Sequence, residues 1–471
     1  MSEEAYRARF TARQIAEACG GRLLSGPAQA KARGISTDTR TIREGEAFFA
    51  LMGPNHDAHA YLPQAVEGGA SVLVVQRLEE RWRPPETVAV VEVQDSSRAL
   101  LALAARHRER LRGTVLAVTG SCGKSTVKAM LGAILSAEGS VTAAPASFNN
   151  RIGVAHTLLS ASPTDRFMVL EMGTNHPGEI DELAAAARPQ VGVITTIAPV
   201  HLEGLGGLDG VREAKAELIA HLPDDGALVL NADDPQCAGL EARFEGRVVT
   251  FGESPRSDVR VEEIRQGEQR HSFRALGEQF CIRSGARHDV LNAAAALAAA
   301  TCAGVAPAAA MLPLARCRPL GLRYERRRLC GVTFVLDCYN SNPAAMRSTL
   351  RSFLAQSTGG RRIVVSGDMR ELGSAAPEMH RQLGRELAQA DVDLVVGVGP
   401  LSRHLLAGWH QRALPPKAAL CFPSAEEAWR PLWSQLRFGD LVLLKGSRAM
   451  RLETIPERIA QALEAGKEAA A

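Results

Sequence analysis

Short, strongly apolar segments alternate with stretches of helical periodicity along most of this chain, and this alternation constrains the fold more than any other feature of the sequence. Segments this apolar are typical of strands buried on both faces of a parallel sheet, because the crossover helices cover those faces. The sequence therefore predicts an α/β fold. A first series gives predicted strands at 114–120, 167–173, 191–197, 226–234 and 247–252. A second series, which starts near Pro319, gives predicted strands at 333–339, 361–368, 393–399 and 440–446.

The two series, together with the shorter elements predicted before them, indicate three domains. A length of 471 residues also favours about three, at roughly 150 residues per domain. Residues 1–108 carry shorter elements, with a helix predicted at Ala12–Cys19, a strand at 70–75 and a helix at 97–111. The alanine-rich segment 288–304 is predicted to be a core helix. We expect domains at 1–108, 109–318 and 319–471, with the stretch Cys317–Leu322 as a linker.

Charge and aromatic content exclude several classes of partner. The chain has 55 Lys and Arg against 52 Asp and Glu, a net charge of +3, whereas a protein that binds a nucleic-acid backbone needs a basic surplus. Aromatic residues make up only 4%, which argues against a surface on which the bases of single-stranded nucleic acid stack. We therefore expect no nucleic-acid partner.

The sequence also predicts a cytoplasmic protein without a transmembrane segment. No apolar run reaches the ~20 residues needed to span a bilayer, and the charged N-terminal segment lacks the apolar core of a signal peptide. The nine cysteines are scattered and form no CxxC pair, which favours reduced thiols over a disulfide framework or a zinc site.

The strongest local signal for function is the segment TGSCGKST at 119–126, which follows a predicted strand and opens a predicted helix. This is the context of a P-loop, in which backbone N–H groups and the helix N-terminus bind phosphate oxygens. Lys124 is placed to reach the β- and γ-phosphates, and the Ser125 hydroxyl is placed to ligate Mg²⁺. The match is partial, since the general pattern has Gly where this chain has Val118. A P-loop alone indicates only a nucleotide phosphate.

Three further polar residues follow strands of the same predicted sheet. Glu171 ends one strand, His201 follows the next, and Lys215 comes fourteen residues later in a predicted helix. Ligands of open α/β sheets gather at the carboxyl ends of the strands. A carboxylate and an imidazole beside the P-loop serine can hold Mg²⁺ against phosphates. Taken singly, each residue also fits a structural role: a helix cap, a loop histidine and a solvated surface lysine.

Several longer motifs are similar to those of the Mur ligase family, the ATP-dependent amide-bond enzymes of cell-wall precursor synthesis. The resemblance covers nearly the whole chain. The central motifs are TGSCGKST, LEMG at 170–173, APVHLEG at 198–204, EAKAEL at 213–218, NADD at 231–234 and RHDVLNA at 287–293. The flanking motifs are ISTDTR at 35–40, SFNNRIGV at 147–154, DCYNSNP at 337–343, GDMRELG at 367–373 and KGSRAMRLE at 445–453.

The resemblance implies a fold and a reaction. The fold has an N-terminal α/β substrate domain, a central P-loop ATPase-type parallel-sheet domain and a C-terminal Rossmann-like domain. The reaction joins D-alanyl-D-alanine to UDP-N-acetylmuramoyl-tripeptide through an acyl phosphate, as a step of peptidoglycan precursor synthesis. ATP and two Mg²⁺ ions are the implied cofactors, and a monomer is the expected state.

The resemblance also implies residue roles. Ser125 and Glu171 would ligate one Mg²⁺ ion and His201 a second, while Lys215 would carry a CO₂-derived carbamate that helps to hold the second ion. The catalytic group is implied to be Lys124, Lys215, His201, Glu171 and Arg323. Contacts to ATP are implied for Gly120, Ser121, Cys122, Gly123, Lys124, Ser125, Thr126, Asn231, His288, Asn292, Arg323 and Asp337. Contacts to the other substrates are implied for Ser36, Asp38, Arg40, Asp57, His59, Asn149, Asn150, Asn340 and Asn342.

Two positions depart from the family pattern. Asp289 stands where Asn is common, and an acid near ATP phosphates is unfavourable unless it points away or pairs with Arg287. Cys122 stands where Ser or Asn is more usual and places an oxidisable thiol in the P-loop. The third-domain motif GDMRELG leaves two interpretations open: Asp368 and Glu371 orient the incoming dipeptide beside Asn340, Asn342 and Ser447, or they form a turn and a helix cap. No role is predicted for His380.

Other functions remain open at this stage. One keeps the chemistry and changes the substrate, as in a Mur ligase that adds a single amino acid or an enzyme similar to folylpolyglutamate synthase. Another is a P-loop regulator that binds ATP and has no ligase activity. The joint presence of Glu171, His201 and Lys215 disfavours the regulator, while the TDTR and GEAFFAL segments favour a UDP-muramoyl substrate over folate.

Overall fold

The computed structural model describes residues 9–78, 82–412 and 418–468. Within these ranges the chain forms three successive α/β units, each built around its own mainly parallel sheet. This confirms the predicted α/β class and its three-domain fold. No helix in the described part of the chain is both long enough and apolar enough to cross a bilayer.

The first unit is a five-stranded sheet in the order β2-β9-β8-β5-β4, parallel except for the edge strand β2. Thr11 and Gln14 form a capping box that starts the first helix, and Gly20, at φ 61°, ends it. The elements are β1 (Phe10–Thr11), α1 (Ala12–Cys19), β2 (Arg22–Ser25), β3 (Lys31–Ala32), β4 (Ile35–Ser36), β5 (Ala47–Phe49), β6 (Met52–Gly53), β7 (His56–Asp57), α2 (Leu62–Glu67), β8 (Val72–Val75), β9 (Ala89–Glu92) and α3 (Ser96–Arg108).

The second unit is a seven-stranded parallel sheet in the order β11-β12-β10-β13-β14-β15-β16, followed by a small antiparallel sheet, β17-β18-β19. Its strands are β10 (Thr114–Thr119), β11 (Val141–Ala143), β12 (Phe167–Glu171), β13 (Val191–Ile194), β14 (Ala227–Asn231), β15 (Arg247–Gly252), β16 (Val259–Arg260), β17 (Glu262–Gln266), β18 (His271–Ala275) and β19 (Glu278–Ile282). Its helices are α4 (Lys124–Ser136), α5 (Arg151–Ser160), α6 (Glu179–Ala187), α7 (Leu202–Leu205), α8 (Leu208–Ala216), α9 (His288–Cys302) and α10 (Pro307–Arg316).

The third unit is a six-stranded sheet in the order β20-β21-β25-β22-β23-β24, parallel except for β20. Its strands are β20 (Glu325–Leu329), β21 (Val332–Leu336), β22 (Arg362–Gly367), β23 (Leu394–Val398), β24 (Ala418–Phe422) and β25 (Leu441–Lys445). Its helices are α11 (Pro343–Leu354), α12 (Ala376–Gln389), α13 (Ser402–Arg412), α14 (Ala425–Gln435) and α15 (Thr454–Glu468).

One continuous apolar core joins the first and second units. It includes Ile15 and Leu100 from the first unit, and Val115 and Leu158 from the second. Helix α3 lies between the two sheets and packs on α5 and α6. At its C-terminal end the buried Arg108 guanidinium donates hydrogen bonds to the Ala187 and Leu111 carbonyls at 2.8 and 2.7 Å. The first two sheets therefore share a core.

The predicted elements agree with the structure within a few residues at most ends. The predicted helix at Ala12–Cys19 has the same bounds in the structure, and the alanine-rich segment forms the buried helix α9. The sequence did not predict the antiparallel strands β17–β19 or the edge strand β20. Strands β17 and β20 are partly exposed and rich in charged residues, whereas β18 and β19 alternate buried with more exposed residues. None of the four has the continuous apolar run that identifies a strand buried on both faces.

Candidate active site

A cleft of about 1260 Å³ opens at the carboxyl ends of the central sheet, and residues of the third unit line its opposite wall. Strand β10 lies between β12 and β13, which is where the strand order of this sheet changes direction. Open α/β sheets bind ligands at such a point. The P-loop follows β10, and Glu171 ends the neighbouring β12, so the topology brings the two motifs together.

The turn between β10 and α4 requires glycine at two positions. Gly120 has φ 142°, and a Cβ there would lie 1.9 Å from the Thr195 hydroxyl oxygen. Gly123 has φ 85°, and a Cβ there would lie 2.3 Å from Asn292 Oδ1. The absence of side chains lets the loop approach β13 and α9 closely, and it leaves the N-terminus of α4 open to the cleft. The structure thus has the backbone geometry of a phosphate-binding loop.

Lys124 begins α4 and lies in the cleft wall. Its ammonium donates to the Gly120 carbonyl at 2.7 Å, so it folds back over the loop. Burial lowers the pKa of Lys124, while the nearby charge of Glu171 raises it. A phosphate in the loop would add negative charge at this position and favour the charged lysine.

Glu171 is almost fully buried and is surrounded by donors and cations. Burial raises its pKa, but Lys128, Lys124 and the hydrogen bond from Asn149 outweigh burial and hold the pKa below its usual value. Asn149 Nδ2 donates to Oε1 at 3.0 Å, and Lys128 Nζ lies 3.2 Å from Oε2. Oε2 is buried, and its charged partner is the Lys128 ammonium. A charged carboxylate beside a P-loop serine fits a Mg²⁺ ion.

His201 lies at the N-terminus of α7 with φ 49°, and its side chain reaches the cleft. Its Nδ1 is 2.7 Å from Oε2 of Glu371, which belongs to the third unit. Burial is the largest influence on the pKa of His201 and lowers it, while Glu371 opposes this effect. A neutral imidazole is the form that ligates metals.

Lys215 is one of the most deeply buried charged residues of the protein, at 2% exposure. Burial, followed by the nearby charge of Lys124, lowers the pKa of Lys215 to about 7. No hydrogen bond or ion pair of its ammonium is formed with any residue that the structure describes. A substantial fraction of this amine is therefore uncharged near neutral pH, and the amine faces the cleft.

The candidate metal ligands come from separate loops. Among the described residues there is no group of three or more His, Cys, Asp and Glu side chains that could hold an ion by itself. Mg²⁺ is usually held by one or two protein ligands together with substrate phosphates. Ser125, Glu171 and His201 line the same cleft as the P-loop and fit this kind of site.

The residues expected along the nucleotide line the cleft, but several are also held by protein partners. Asn231 donates to the Thr195 carbonyl at 2.9 Å and accepts from the Asp233 backbone at 2.9 Å. Asn292 donates to Asp289 at 2.9 Å. His288 opens α9 and contacts Tyr324 edge to face at 6.4 Å between ring centroids.

Asp289 does not pair with Arg287. Its carboxylate accepts hydrogen bonds from Ser284 and Asn292, whereas Arg287 forms an ion pair with Glu253 at 2.6 Å. The acid that departs from the family pattern is thus mostly buried and satisfied by neutral donors. This explains how a carboxylate is accommodated close to the P-loop.

Arg323 and Asp337 are among the third-unit residues that line the cleft. Arg323 donates to the Ser125 hydroxyl at 2.9 Å and stacks over the Tyr339 ring at 4.4 Å. Asp337 is paired with Lys445 at 2.8 Å. Burial raises the pKa of Asp337, but Lys445 and His288 outweigh burial and hold it below its usual value. Both predicted residues therefore face the P-loop.

The four asparagines expected near the substrates also line the cleft. Asn149 holds Glu171, and Asn150 caps α5. Asn342 caps α11 and donates to the Cys122 thiol at 3.3 Å, while the Asn340 carbonyl accepts from Lys445. The P-loop cysteine is thus in contact with the third unit.

The five residues of the first unit that were expected to contact substrate do not line this cleft. Arg40 and Asp38 form an exposed pair at 2.6 Å, next to the buried Ser36. Asp57 accepts from His59 and Arg77, and His59 Nε2 accepts from the Gln76 backbone at 2.9 Å. These contacts hold the β6–β7 hairpin in place.

The motif GDMRELG has a clear structural part. Asp368 accepts from the Leu401 backbone, His380 Nε2 accepts from the Met369 backbone at 3.0 Å, and Ser447 accepts from the Arg370 backbone at 2.9 Å. His380, for which the sequence predicted no role, therefore anchors this loop. Glu371 is different, since it points to His201 across the cleft.

Lys128 and Lys445 are two site residues that sequence reasoning missed. Lys128 lies one helical turn after Lys124, so its spacing placed it on the same face of α4. Lys445 ends β25 and opens the KGSRAMRLE motif. Both are nearly fully buried against carboxylates that line the cleft.

Comparisons with known proteins agree with this geometry. Residues 118–300 match the family model "Mur ligase middle domain", and residues 322–448 match "Mur ligase, glutamate ligase domain". The UDP-N-acetylmuramoyl-tripeptide–D-alanyl-D-alanine ligase of Bacillus subtilis is 32% identical over 449 residues, which cover 94% of this chain and 97% of the relative. The chain belongs to the Mur ligase family. The resemblance inferred from the motifs is thereby confirmed, and the chain is an ATP-dependent ligase.

Two solved Mur ligase structures have the same fold. A crystal structure of MurF from Acinetobacter baumannii has a TM-score of 0.87 and 31% identity, and covers 97% of this chain and 100% of its own. MurF from Thermotoga maritima, solved in complex with ADP, has a TM-score of 0.79 and 28% identity, and covers 91% of this chain and 97% of its own. The three-unit architecture is therefore that of MurF-type ligases.

Proposed function

We propose that this Mur ligase joins D-alanyl-D-alanine to UDP-N-acetylmuramoyl-tripeptide and converts ATP to ADP and phosphate. One observation carries the proposal: a single cleft is lined by the P-loop, Glu171, His201 and Lys215 of the central unit and by Arg323 of the third. The full-length similarity to MurF enzymes supports the choice of substrates.

The reaction needs activation, because a carboxylate is a poor electrophile. An oxygen of the tripeptide carboxylate attacks the γ-phosphorus of ATP, the bond to the β–γ bridging oxygen breaks, and an acyl phosphate and ADP form. The neutral amine of the dipeptide then adds to the acyl carbon. Loss of inorganic phosphate and a proton leaves the amide. The first step brings two anions together, so stabilisation of negative charge dominates catalysis.

Cationic and N–H groups of this chain supply much of that stabilisation. The backbone of 120–126 and the N-terminus of α4 would hold the phosphates, with Lys124 close to the transferred group. Arg323 lies over the P-loop serine and would add a second cation from the opposite wall. Closure of the third unit would align the two substrates, and such alignment can contribute on the order of 7–11 kcal/mol to rate acceleration.

Ser125 and Glu171 would hold one Mg²⁺ ion and His201 a second. Bound Mg²⁺ supplies charge neutralisation between the phosphates and the carboxylate. The charged Glu171 carboxylate, which lines the cleft together with Ser125, supports this assignment.

We also propose that Lys215 is carbamylated. Its uncharged amine would add to the carbon of CO₂ and lose a proton, which gives a carbamate whose oxygens suit a hard metal ion. Two features support this: a pKa of about 7, and an ammonium that has no partner among the described residues. Carbamylation would also turn a buried cation beside Lys124 into an anion, and so relieve like-charge repulsion.

The substrates would occupy different units. Asn340 and Asn342 would contact the dipeptide, and Asn149 and Asn150 the muramoyl peptide where it enters the cleft. The uridine nucleotide would bind the first unit at Ser36, Asp38, Arg40, Asp57 and His59. We propose the bounds 1–108, 109–318 and 319–471 for these functional domains, and a monomer.

We infer a cytoplasmic location from the thiols. All nine cysteines are free in the structure, and two of them, Cys237 and Cys338, are buried. Unpaired cysteines in this number are typical of a reducing compartment.

A phosphate-release assay tests the proposed function. ATP and Mg²⁺ are supplied with D-alanyl-D-alanine and with UDP-muramoyl-tripeptides that end in diaminopimelate or lysine. We expect phosphate release that depends on both substrates. We expect none when D-alanine or another single amino acid replaces the dipeptide, or when a folate replaces the UDP-muramoyl-tripeptide. ATP binding without release for either tripeptide would contradict the proposal and favour a P-loop regulator. Arg323→Ala should lower kcat/KM for ATP, with the exposed Arg316→Ala as the matched control.

A further inference from the structure

Two loops from different units meet at His201. Nδ1 of His201 lies 2.7 Å from Oε2 of Glu371, a distance typical of a charge-assisted hydrogen bond. Both residues have left-handed backbone conformations, with φ 49° for His201 and 65° for Glu371. Such conformations are costly for residues other than glycine and persist only where their surroundings fix them. The contact therefore involves two constrained loops.

The loop that carries Glu371 is held firmly by the third unit. Each of the three residues before Glu371 forms a hydrogen bond elsewhere in the unit. The Asp368 carboxylate accepts from the Leu401 backbone, and the backbone N–H groups of Met369 and Arg370 donate to the side chains of His380 and Ser447. The anchored loop presents Glu371 outward, with 62% of its side chain exposed.

The loop that carries His201 also lies close to the third unit at a second position. His201 opens the short helix α7, and Gly373 packs against Glu203 on that helix, where a Cβ on Gly373 would lie 3.5 Å from the Glu203 Cβ. The two loops thus touch at a second point, independent of the His201 contact.

The chemistry of imidazole gives this contact a consequence. A carboxylate at Nδ1 favours the tautomer with a proton on Nδ1, which leaves the Nε2 lone pair free to ligate a metal ion. Histidine ligands usually have such a partner, and its loss typically costs about 10- to 100-fold in metal affinity or activity. Here the partner comes from a different domain than the ligand.

We propose that Glu371 is a positioning residue for His201, so that the metal site at His201 is complete only when the third unit is docked on the central unit. The inference rests on the proposed function, because it needs His201 as a metal ligand. It assigns a role to the GDMRELG motif that is neither dipeptide binding nor helix capping. Metal binding and domain docking then favour each other, as linked equilibria must.

Binding of Mn²⁺, measured by electron paramagnetic resonance on the full chain with ADP, tests the proposal without turnover. The variants are Glu371→Ala, Glu371→Gln and, as a matched control, Glu203→Ala. Glu203→Ala removes one negative charge from the same interface and keeps the Cβ that lies nearest to Gly373. Its carboxylate forms no hydrogen bond or ion pair with His201 in the described part of the chain. We expect the Ala variant to weaken one Mn²⁺ site by about 10- to 100-fold. The Gln variant, whose amide oxygen still accepts from Nδ1, should weaken it less, and the control should bind as the wild type does.

The state of the ring can be observed directly. In ¹⁵N-histidine NMR spectra of the metal-free protein, the His201 signals are assigned by their loss in His201→Gln. We expect the Nδ1–H tautomer in the wild type and in Glu371→Gln, and a mixture of tautomers in Glu371→Ala.

Three outcomes would overturn the proposal. Tighter Mn²⁺ binding by Glu371→Ala would show that Glu371 competes with the metal for His201. An equal loss in Glu371→Ala and Glu203→Ala would indicate a general effect of charge. Unchanged Mn²⁺ binding by Glu371→Ala, with weaker binding by His201→Gln, would refute the role of Glu371 alone. If His201→Gln also binds normally, the metal role in the proposed function fails as well.

Discussion

The buried environment of Lys215 disfavours the charged form of its amine. Its folded pKa of about 7 lies below the unfolded value of about 10.4. Between these values the unfolded chain binds one more proton than the folded chain, so this residue makes stability rise with pH from about 7 to about 10. Below pH 7 the full cost of burial is present, on the order of 5 kcal/mol.

Lys215→Met should therefore stabilise the protein and abolish the ligase reaction. Methionine has a similar length and no charge to desolvate, so the midpoint of thermal unfolding should rise by several degrees at pH 7, and the gain should shrink as the pH approaches 10. The measurement is differential scanning calorimetry without ligands in CO₂-free buffer. The exposed Lys31→Met is the control. A lower midpoint for Lys215→Met would contradict the proposed burial of an unpaired amine.

At the scale of elements, the turn that joins β10 to α4 depends on backbone conformation more than on side chains. Gly123 caps the helix in a left-handed conformation and leaves no space for a Cβ beside Asn292, which is itself tied to Asp289. Gly132 lies in the middle of the same helix, where the nearest atom to a new Cβ is the Ala143 Cβ at 3.8 Å. There is therefore room for a side chain at Gly132 but not at Gly123.

Gly123→Ala should weaken ADP binding by roughly 10- to 100-fold, because strain of about 1–3 kcal/mol falls on the loop that holds the phosphates. Gly132→Ala should bind ADP normally and raise stability by up to about 1 kcal/mol, since alanine is the better helix former. Calorimetric titration with ADP measures the first effect and urea unfolding the second. Equal affinities in both variants would show that the turn is not strained by a side chain.

The elements also show what sequence can predict. The P-loop, β12 and α9 were predictable because apolar runs and glycine spacing act locally. The contact of Glu371 with His201 was not, because residues separated by more than 150 positions meet only through the docking of two units. The roles of individual site residues were implied by the family resemblance. The structure places the expected residues of the central and third units in one cleft, and the expected residues of the first unit lie outside it.

At the scale of the whole molecule, the two interfaces of the central unit differ in kind. The first unit shares a continuous apolar core with it. The third unit meets it at the cleft through polar pairs such as Arg323 with Ser125, Asn342 with Cys122 and Glu371 with His201. Polar contacts across a solvated cleft are weaker than a shared core, so relative motion is expected at the third unit.

Hydrogen–deuterium exchange should reveal this difference in Arg323→Ala. Loss of the contact with Ser125 should speed exchange in peptides that cover the P-loop and the segment 337–343. Peptides from α3 and α5 should exchange as in the wild type, because their shared core is intact. Arg316→Ala is the control. Faster exchange in α3 would show that the first unit moves together with the third.

The continuous core beneath the first two sheets also limits how this protein can be divided. A fragment that ended at Arg108 would expose the face of α3 that now packs on α5 and α6, together with the buried guanidinium of Arg108 itself. The natural unit for recombinant dissection is therefore the first two sheets together, through the end of α10. A crystallographic or inhibitor-screening programme would keep that pair intact and treat the remaining third of the chain as the separable module.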